Sequence, residues 1–401
     1  MMKKTELIIW AFLCMLFSEL NAQENNNLLD AYGFYYSGNY TQAIPAFDRL
    51  IKENISIRPV DLLFRGISKY QTRSYEESLS DLVTASLQGF PEGYLWQARA
   101  YTELGKYSEA VSAIHNYLRN SSEIRTENIT SDPVLRKLNN TDEWDELWRT
   151  RNNSETEEII AEAEYLANKQ KYQEAHNLIE SSFADKEIEL LFCDSKIYER
   201  EGNIELAINV LNKGLKNNPG NRSLLYQKAL YLISLKKYEE AYTILTELLT
   251  STPEDFPLRF KRAGAAFSAG NLDIAKSDIE LYLKYFSTEE AVFLAGRIEY
   301  ASGRYLNALR YFNDLLEDDT SNAEYFKARG LTYYQTHTFQ QAAYDLSMSL
   351  DLVPDDPEAN YYLGLSQHSL GNEKMACYYM NRAKKYGELK AIEFLRENCS
   401  K

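Results

Sequence analysis

Residues 229–253 read ALYLISLKKYEEAYTILTELLTSTP. Ala229 and Leu232 are three apart and Ala241 and Leu245 four apart, so each pair lies on one face of a helix. Tyr238 opens a second helix, and Pro253 closes the unit because proline cannot continue one. The same frame returns along the chain. Ala43, Ser78, Ala110, Ala175, Ala207, Ala241, Ala275, Ala308, Ala342 and Ala376 are separated by 35, 32, 65, 32, 34, 34, 33, 34 and 34 residues. A second small residue always stands 12 positions earlier, at Ala31, Gly66, Ala98, Ala163, Ser195, Ala229, Ala263, Gly296, Gly330 and Gly364. A period near 34 marks a helical hairpin stacked on copies of itself. The paired small residues mark where two antiparallel helices cross, and a larger side chain there would overpack by about 1–3 kcal/mol.

The turn within each hairpin also recurs. Gly38, Gly105, Gly202, Gly270, Gly303 and Gly371 occupy it, as a glycine just past a helix should. Two residues on, Tyr40, Tyr75, Tyr107, Tyr172, Ile204, Tyr238, Leu272, Tyr305 and Phe339 open the second helix.

With this motif of small residue, Tyr, Gly, Tyr, Ala, apolar residue and Pro, the chain resembles the tetratricopeptide repeat family. Ten repeats start near 24, 59, 91, 156, 188, 222, 256, 289, 323 and 357. The implied fold is all-α, an α-α superhelix of about ten helical hairpins with one degenerate helical insert and a C-terminal capping helix. Three features depart from the family pattern. Its early tryptophan is replaced by residues such as Leu191, Leu225 and Phe326. Charged residues (Arg65, Glu162, Asp194, Lys228, Arg262, Arg329) precede the first small residue, where leucine is common. In the last repeat Glu373 stands where an aromatic residue is expected.

The 65-residue interval holds one unit of non-matching sequence. Within it, Asp132-Pro133 reads as an N-cap with proline in the first turn, followed by Val134, Leu135 and Leu138. Thr141 or Asp142 caps a second short helix carrying Trp144, Leu147 and Trp148. The expected organisation is a leader at 1–22, a three-repeat array at 23–120, a helical joint at 121–155, a seven-repeat array at 156–387 and a capping helix at 388–401. The joint's tryptophans are read as plugs, with a partner anchor as the alternative.

Lys3 and Lys4 precede an apolar run from Leu7 to Phe17, and Ala22 offers a small residue before Gln23. This pattern reads as a secretory leader cleaved between Ala22 and Gln23, its apolar run too short to span a bilayer, with an uncleaved anchor as the alternative. No other segment could span, so the mature chain is expected to have no membrane span. The expected location is the periplasm or outer-membrane periphery of a bacterium, with an extracellular location as the alternative. Net charge is −15, which argues against a nucleic-acid partner because phosphate binding needs clustered Lys and Arg. Of the cysteines beyond the leader, Cys377 and Cys399 could pair, but buried apolar thiols are the favoured reading, as for Cys193. His115, His176, His337 and His368 lack ligand spacing, so neither a metal nor a cofactor is expected.

The family resemblance implies that the second, fifth, ninth and twelfth repeat positions line a concave groove. At the fifth position the first three repeats carry Leu28, Leu63 and Leu95. The later repeats carry Ile160, Phe192, Tyr226, Phe260, Phe293, Lys327 and Tyr361 there. The twelfth position adds Phe267, Tyr300 and Tyr334; Lys196 and Arg297 occupy ninth positions, and Glu290, Glu324 and Glu358 second positions. The expected site is an aromatic groove with an acidic margin that binds a protein or peptide partner. The competing reading is that these aromatics pack between repeats. A carbohydrate-binding or enzyme-associated module would also use such a row of rings, and a structural spacer would need no ligand at all. The family's carboxylate clamp is not matched, because Leu331 stands where asparagine should follow Lys327. No P-loop, dinucleotide fingerprint or HExxH motif is present, so no enzyme activity is expected.

Overall fold

The computed structural model describes residues 26–53, 58–120, 129–139, 141–151, 154–182 and 188–399. The expected leader, with Ala22 and Gln23, lies outside them. Among the described residues every regular element is helical. Hairpins follow the predicted frame, as in Arg222–Ser234 with Tyr238–Ser251, Glu289–Ala301 with Tyr305–Asp318, and Ala323–Gln335 with Phe339–Leu352. Caps fix where they begin: the side chains of Asn221, Thr288 and Asp356 accept hydrogen bonds from the backbone N–H groups of Leu224, Ala291 and Ala359. Glu373 opens a complete helix, Glu373–Lys385, despite its departure from the pattern.

Every small residue of the two rows is buried. In the four pairs that begin with glycine, that glycine faces the side chain four places past the second residue. A methyl group on Gly296 would come to 2.5 Å from Phe312, and one on Gly66 or Gly330 to 2.9 Å from Leu82 or Leu346. The small residue therefore makes room for one large neighbour. Hairpin turns pass through the left-handed backbone region, at φ +72 to +86 for Gly38, Gly105, Gly202, Gly270, Gly303 and Gly371. In the four repeats without that glycine, Arg73, Gln170, Lys236 and His337 take the same place at φ +57 to +65.

The charged residues before the first small residue have a structural cause in three repeats. Arg65 grips Asp81 at 2.6 and 2.8 Å, Arg262 grips Asp278 at 2.7 and 2.8 Å, and Arg329 grips Asp345 at 2.7 and 2.9 Å. Each pair links the two helices of one hairpin, and each carboxylate is buried. Bidentate guanidinium–carboxylate geometry satisfies a charge that burial would otherwise penalise.

The chain divides into two compact units, Met1–Phe256 and Pro257–Lys401. The first contains the interrupting segment. There the Asp132 carboxylate accepts from the backbone N–H groups of Val134 and Leu135, and it pairs with Arg99 of the third repeat at 2.7 Å. Leu135, Leu138, Trp144 and Leu147 are buried against the same core as Ala110 and Ile114, and Trp148 packs beside them. Trp144 and Trp148 meet edge to face at 5.4 Å.

The same unit also closes on itself. Arg58, at the start of the second repeat, pairs with Asp61 at 2.6 Å and with Glu254 at 2.9 Å, across 196 residues. Tyr32 donates to Asp61 at 2.8 Å, and the Tyr36 ring lies 6.4 Å from that of Phe256. Solenoid repeats ordinarily touch only their neighbours. Contact between the first repeats and residues 254–256 is an addition to that pattern.

The second unit ends in a cap, Lys390–Asn398, whose Phe394 and Leu395 pack on Met380 and Ala383. Cys377 and Cys399 form a disulfide with Cα atoms 5.8 Å apart. This corrects the expectation of separate buried thiols. The cap folds back antiparallel to its neighbour and brings the two cysteines within bonding reach. Cys193 remains a buried free thiol.

Candidate functional site

Helical period places the fifth, ninth and twelfth positions of each first helix on one side. In the first unit, Phe192 is half-buried with the Lys196 ammonium 4.8 Å from its ring centre. Tyr226 is half-buried, and burial followed by the nearby Asp255 carboxylate raises its hydroxyl pKa. It therefore stands close to the segment that closes this unit, and Asp255 also pairs with Arg222 at 2.6 Å.

The second unit carries the remaining predicted residues. Phe260 stacks on Tyr282 at 4.8 Å, and Tyr282 on Phe286 at 4.3 Å. Phe293 packs against Tyr325 at 5.1 Å and Phe312 at 5.9 Å. Arg297 is exposed and lies across two rings, 4.8 Å from Phe267 and 5.8 Å from Phe293. Phe260, Phe267 and Phe293 are thus packed on one side and half-buried.

Further along, tyrosines converge. Tyr334 meets Tyr362 at 5.1 Å and Tyr361 meets Tyr362 at 5.4 Å, both edge to face. Gln335 donates to the Tyr300 hydroxyl at 3.4 Å. Burial, aided by Tyr300, Glu358, Tyr361 and Tyr334, pushes the Tyr362 hydroxyl up to about 12. Burial also raises Tyr300, Tyr334 and Tyr361, so these hydroxyls stay neutral at physiological pH. Tyr362 is absent from the predicted positions because it is one residue past the fifth. The recurrence of aromatics at 300, 334 and 361 was the signal that could have found it.

Lys327, the one cation at a fifth position of this unit, is engaged by Glu324 at 2.8 Å and Asp356 at 2.9 Å. Burial opposes its charge, but those two hydrogen bonds outweigh it and raise the ammonium pKa. It is already neutralised, which adds to the case against a carboxylate clamp. Among the described residues no three His, Cys, Asp or Glu side chains gather as a metal site. Nor is any helix there long and apolar enough to cross a membrane.

Tetratricopeptide repeat models match residues 195–221, 223–255 and 260–323. No curated protein matches the chain. Among solved structures it is similar to a tetratricopeptide repeat protein from Parabacteroides merdae, at 18% identity over 60% of this chain and 96% of that one, with a TM-score of 0.47. It is also similar to yeast Tom70, at 14% identity over 94% of this chain and 96% of that one, TM-score 0.38. A third similar structure is YrrB, described as a TPR protein with an unusual peptide-binding site, at 14% identity over 47% of this chain and 97% of that one, TM-score 0.38. The matched segments fall in register on consecutive hairpins, from the fifth repeat to the eighth, of the frame that the buried small residues set across the chain. Over residues 195–323 this protein is built of tetratricopeptide repeats.

Proposed function

We propose that the chain is a non-catalytic scaffold that docks a polypeptide along the first-helix face of its second unit. The observation that carries this reading is the row of half-buried aromatics from Phe260 to Tyr361. Such rings are anchored on one side and open on the other, and they gain contact area at little rotamer cost. A sugar-stacking site is disfavoured because Arg297 already lies over the Phe267 ring at 4.8 Å. The lysine-led leader and the Cys377–Cys399 disulfide support export to a bacterial periplasm or outer-membrane periphery, since disulfides persist in oxidising compartments.

Crosslinking in the native cell envelope identifies the partner, and a Phe260→Ala/Tyr300→Ala double variant tests the face. Loss of the partner with helical content retained is the expected outcome. A folded double variant that recovers the partner as well as the parent does would overturn the reading. For export, N-terminal sequencing of the native protein is expected to begin at Gln23; an intact Met1 in the cytoplasm would remove that part.

A further inference from the structure

The last three repeats gather tyrosines around one carboxylate. Tyr334, Tyr361 and Tyr362 meet edge to face, and Tyr300 reaches the group from the preceding repeat. An edge-to-face pair sets one ring's positive edge on the other's negative face, and all four rings are only half-buried, so each keeps surface open to a further group. Glu358 is within electrostatic range of both Tyr300 and Tyr362. Glu358 is partly open to solvent and partly covered, and it has no hydrogen bond or ion pair among the described residues. Glu388 and Glu393 act on Tyr361 from the cap side. The nearby cation, Lys327, is held by Glu324 and Asp356. Lys327 thus acts on Glu358 only through space, its ammonium being bonded to the other two carboxylates.

We propose that Tyr300, Tyr334, Tyr361 and Tyr362, together with Glu358, form a cage for a single cationic side chain, an arginine or lysine of the docked polypeptide. Aromatic faces attract a cation through the ring quadrupole, most strongly when water is excluded, and the carboxylate fixes its charged end. This assignment rests on the polypeptide-docking reading and names the chemistry the partner must present.

The electrostatics agree. Burial raises the Glu358 carboxyl above its ordinary value, and Asp356, Glu324 and Glu388 raise it further against the opposing effect of Lys327. A carboxyl with a raised folded-state pKa favours its neutral form in the folded protein. Its charge therefore costs stability at neutral pH, and an incoming cation relieves that cost. Binding should weaken as pH falls through the Glu358 pKa. The facing tyrosines stay neutral across that range, and Lys327 stays charged.

The test uses the full mature chain with N-acetyl-arginine amide as probe and the neutral isostere N-acetyl-citrulline amide as control, followed by saturation-transfer NMR. The arginine probe should bind about tenfold more tightly than the citrulline probe. Glu358→Gln should remove most of that preference without lowering the Tm. Tyr334→Leu should weaken binding, and Tyr334→Phe should restore it, because the ring face rather than the hydroxyl does the holding. Equal binding of both probes, no detectable binding of either, or an unchanged preference in Glu358→Gln would overturn the cage. A partner still held by Glu358→Gln but lost in the Phe260→Ala/Tyr300→Ala variant would leave the docking face standing and remove the cage. A cage that binds arginine while that double variant keeps its partner would do the reverse.

Discussion

Gly264 and Gly296 are both interior helix glycines, yet a methyl group on each would meet opposite surroundings. On Gly264 it would find nothing within 4 Å, while on Gly296 it would find the Phe312 ring at 2.5 Å. Gly264→Ala should therefore stabilise the protein by about 0.5–1 kcal/mol through backbone entropy alone. Gly296→Ala makes the same entropic gain but overpacks the helix crossing, for a loss of about 1–3 kcal/mol. Urea unfolding of the two variants measures the difference, and equal effects would show that the crossing has slack. Both glycines lie on first helices, but only Gly296 belongs to the row with period near 34. That row distinguishes the structural glycine from the incidental one.

At the scale of elements, each hairpin is closed by its crossing and, in three repeats, by an Arg–Asp clamp spaced 16 residues apart. This spacing was present in the sequence as Arg65/Asp81, Arg262/Asp278 and Arg329/Asp345. Periodicity alone does not reveal it as a contact, because the two residues lie on different helices. The terminal cap depends on its disulfide differently. Lys390–Asn398 is short and packs on one side only, so little else holds it. Removing the bond with Cys399→Ser should cost roughly 2–4 kcal/mol, the usual range for closing a loop of this order. Hydrogen exchange in the cap should quicken first, while the helices of the eighth repeat stay protected. Uniform loss of protection across the second unit would contradict that assignment.

At the scale of the whole molecule, the contact of Arg58 with Glu254 couples repeats that a linear array would leave independent. Glu254 is buried and Arg58 is about one-third exposed, so the pair is worth less than a fully buried bridge. Arg58→Ala should lower stability by about 1–3 kcal/mol, since it strands the Glu254 carboxylate. Native-state hydrogen exchange should show helix 26–36 and the segment near Glu254 opening together in the parent and separately in the variant. If their opening is already independent in the parent, the closure contributes no cooperativity.

Local periodicity determined the helices, their start points, the hairpin turns and the buried face of each crossing. All of these depend on residues within about 16 positions of one another along the chain. The candidate site was partly legible for the same reason: the frame assigns Phe260, Arg297 and Tyr334 to one side of their helices. Tertiary structure decided which of those side chains are free. Lys327 occupies a fifth position in the sequence and is held by Glu324 and Asp356, whereas Tyr362 lies off the predicted row and becomes the centre of the tyrosine cluster. It also decided the Cys377–Cys399 bond and the Arg58–Glu254 contact. The bond depends on how the cap folds back on its neighbour, and the Arg58–Glu254 contact on how far the chain rotates between successive hairpins. Small packing angles set that rotation and accumulate over repeats, and no single repeat records their sum.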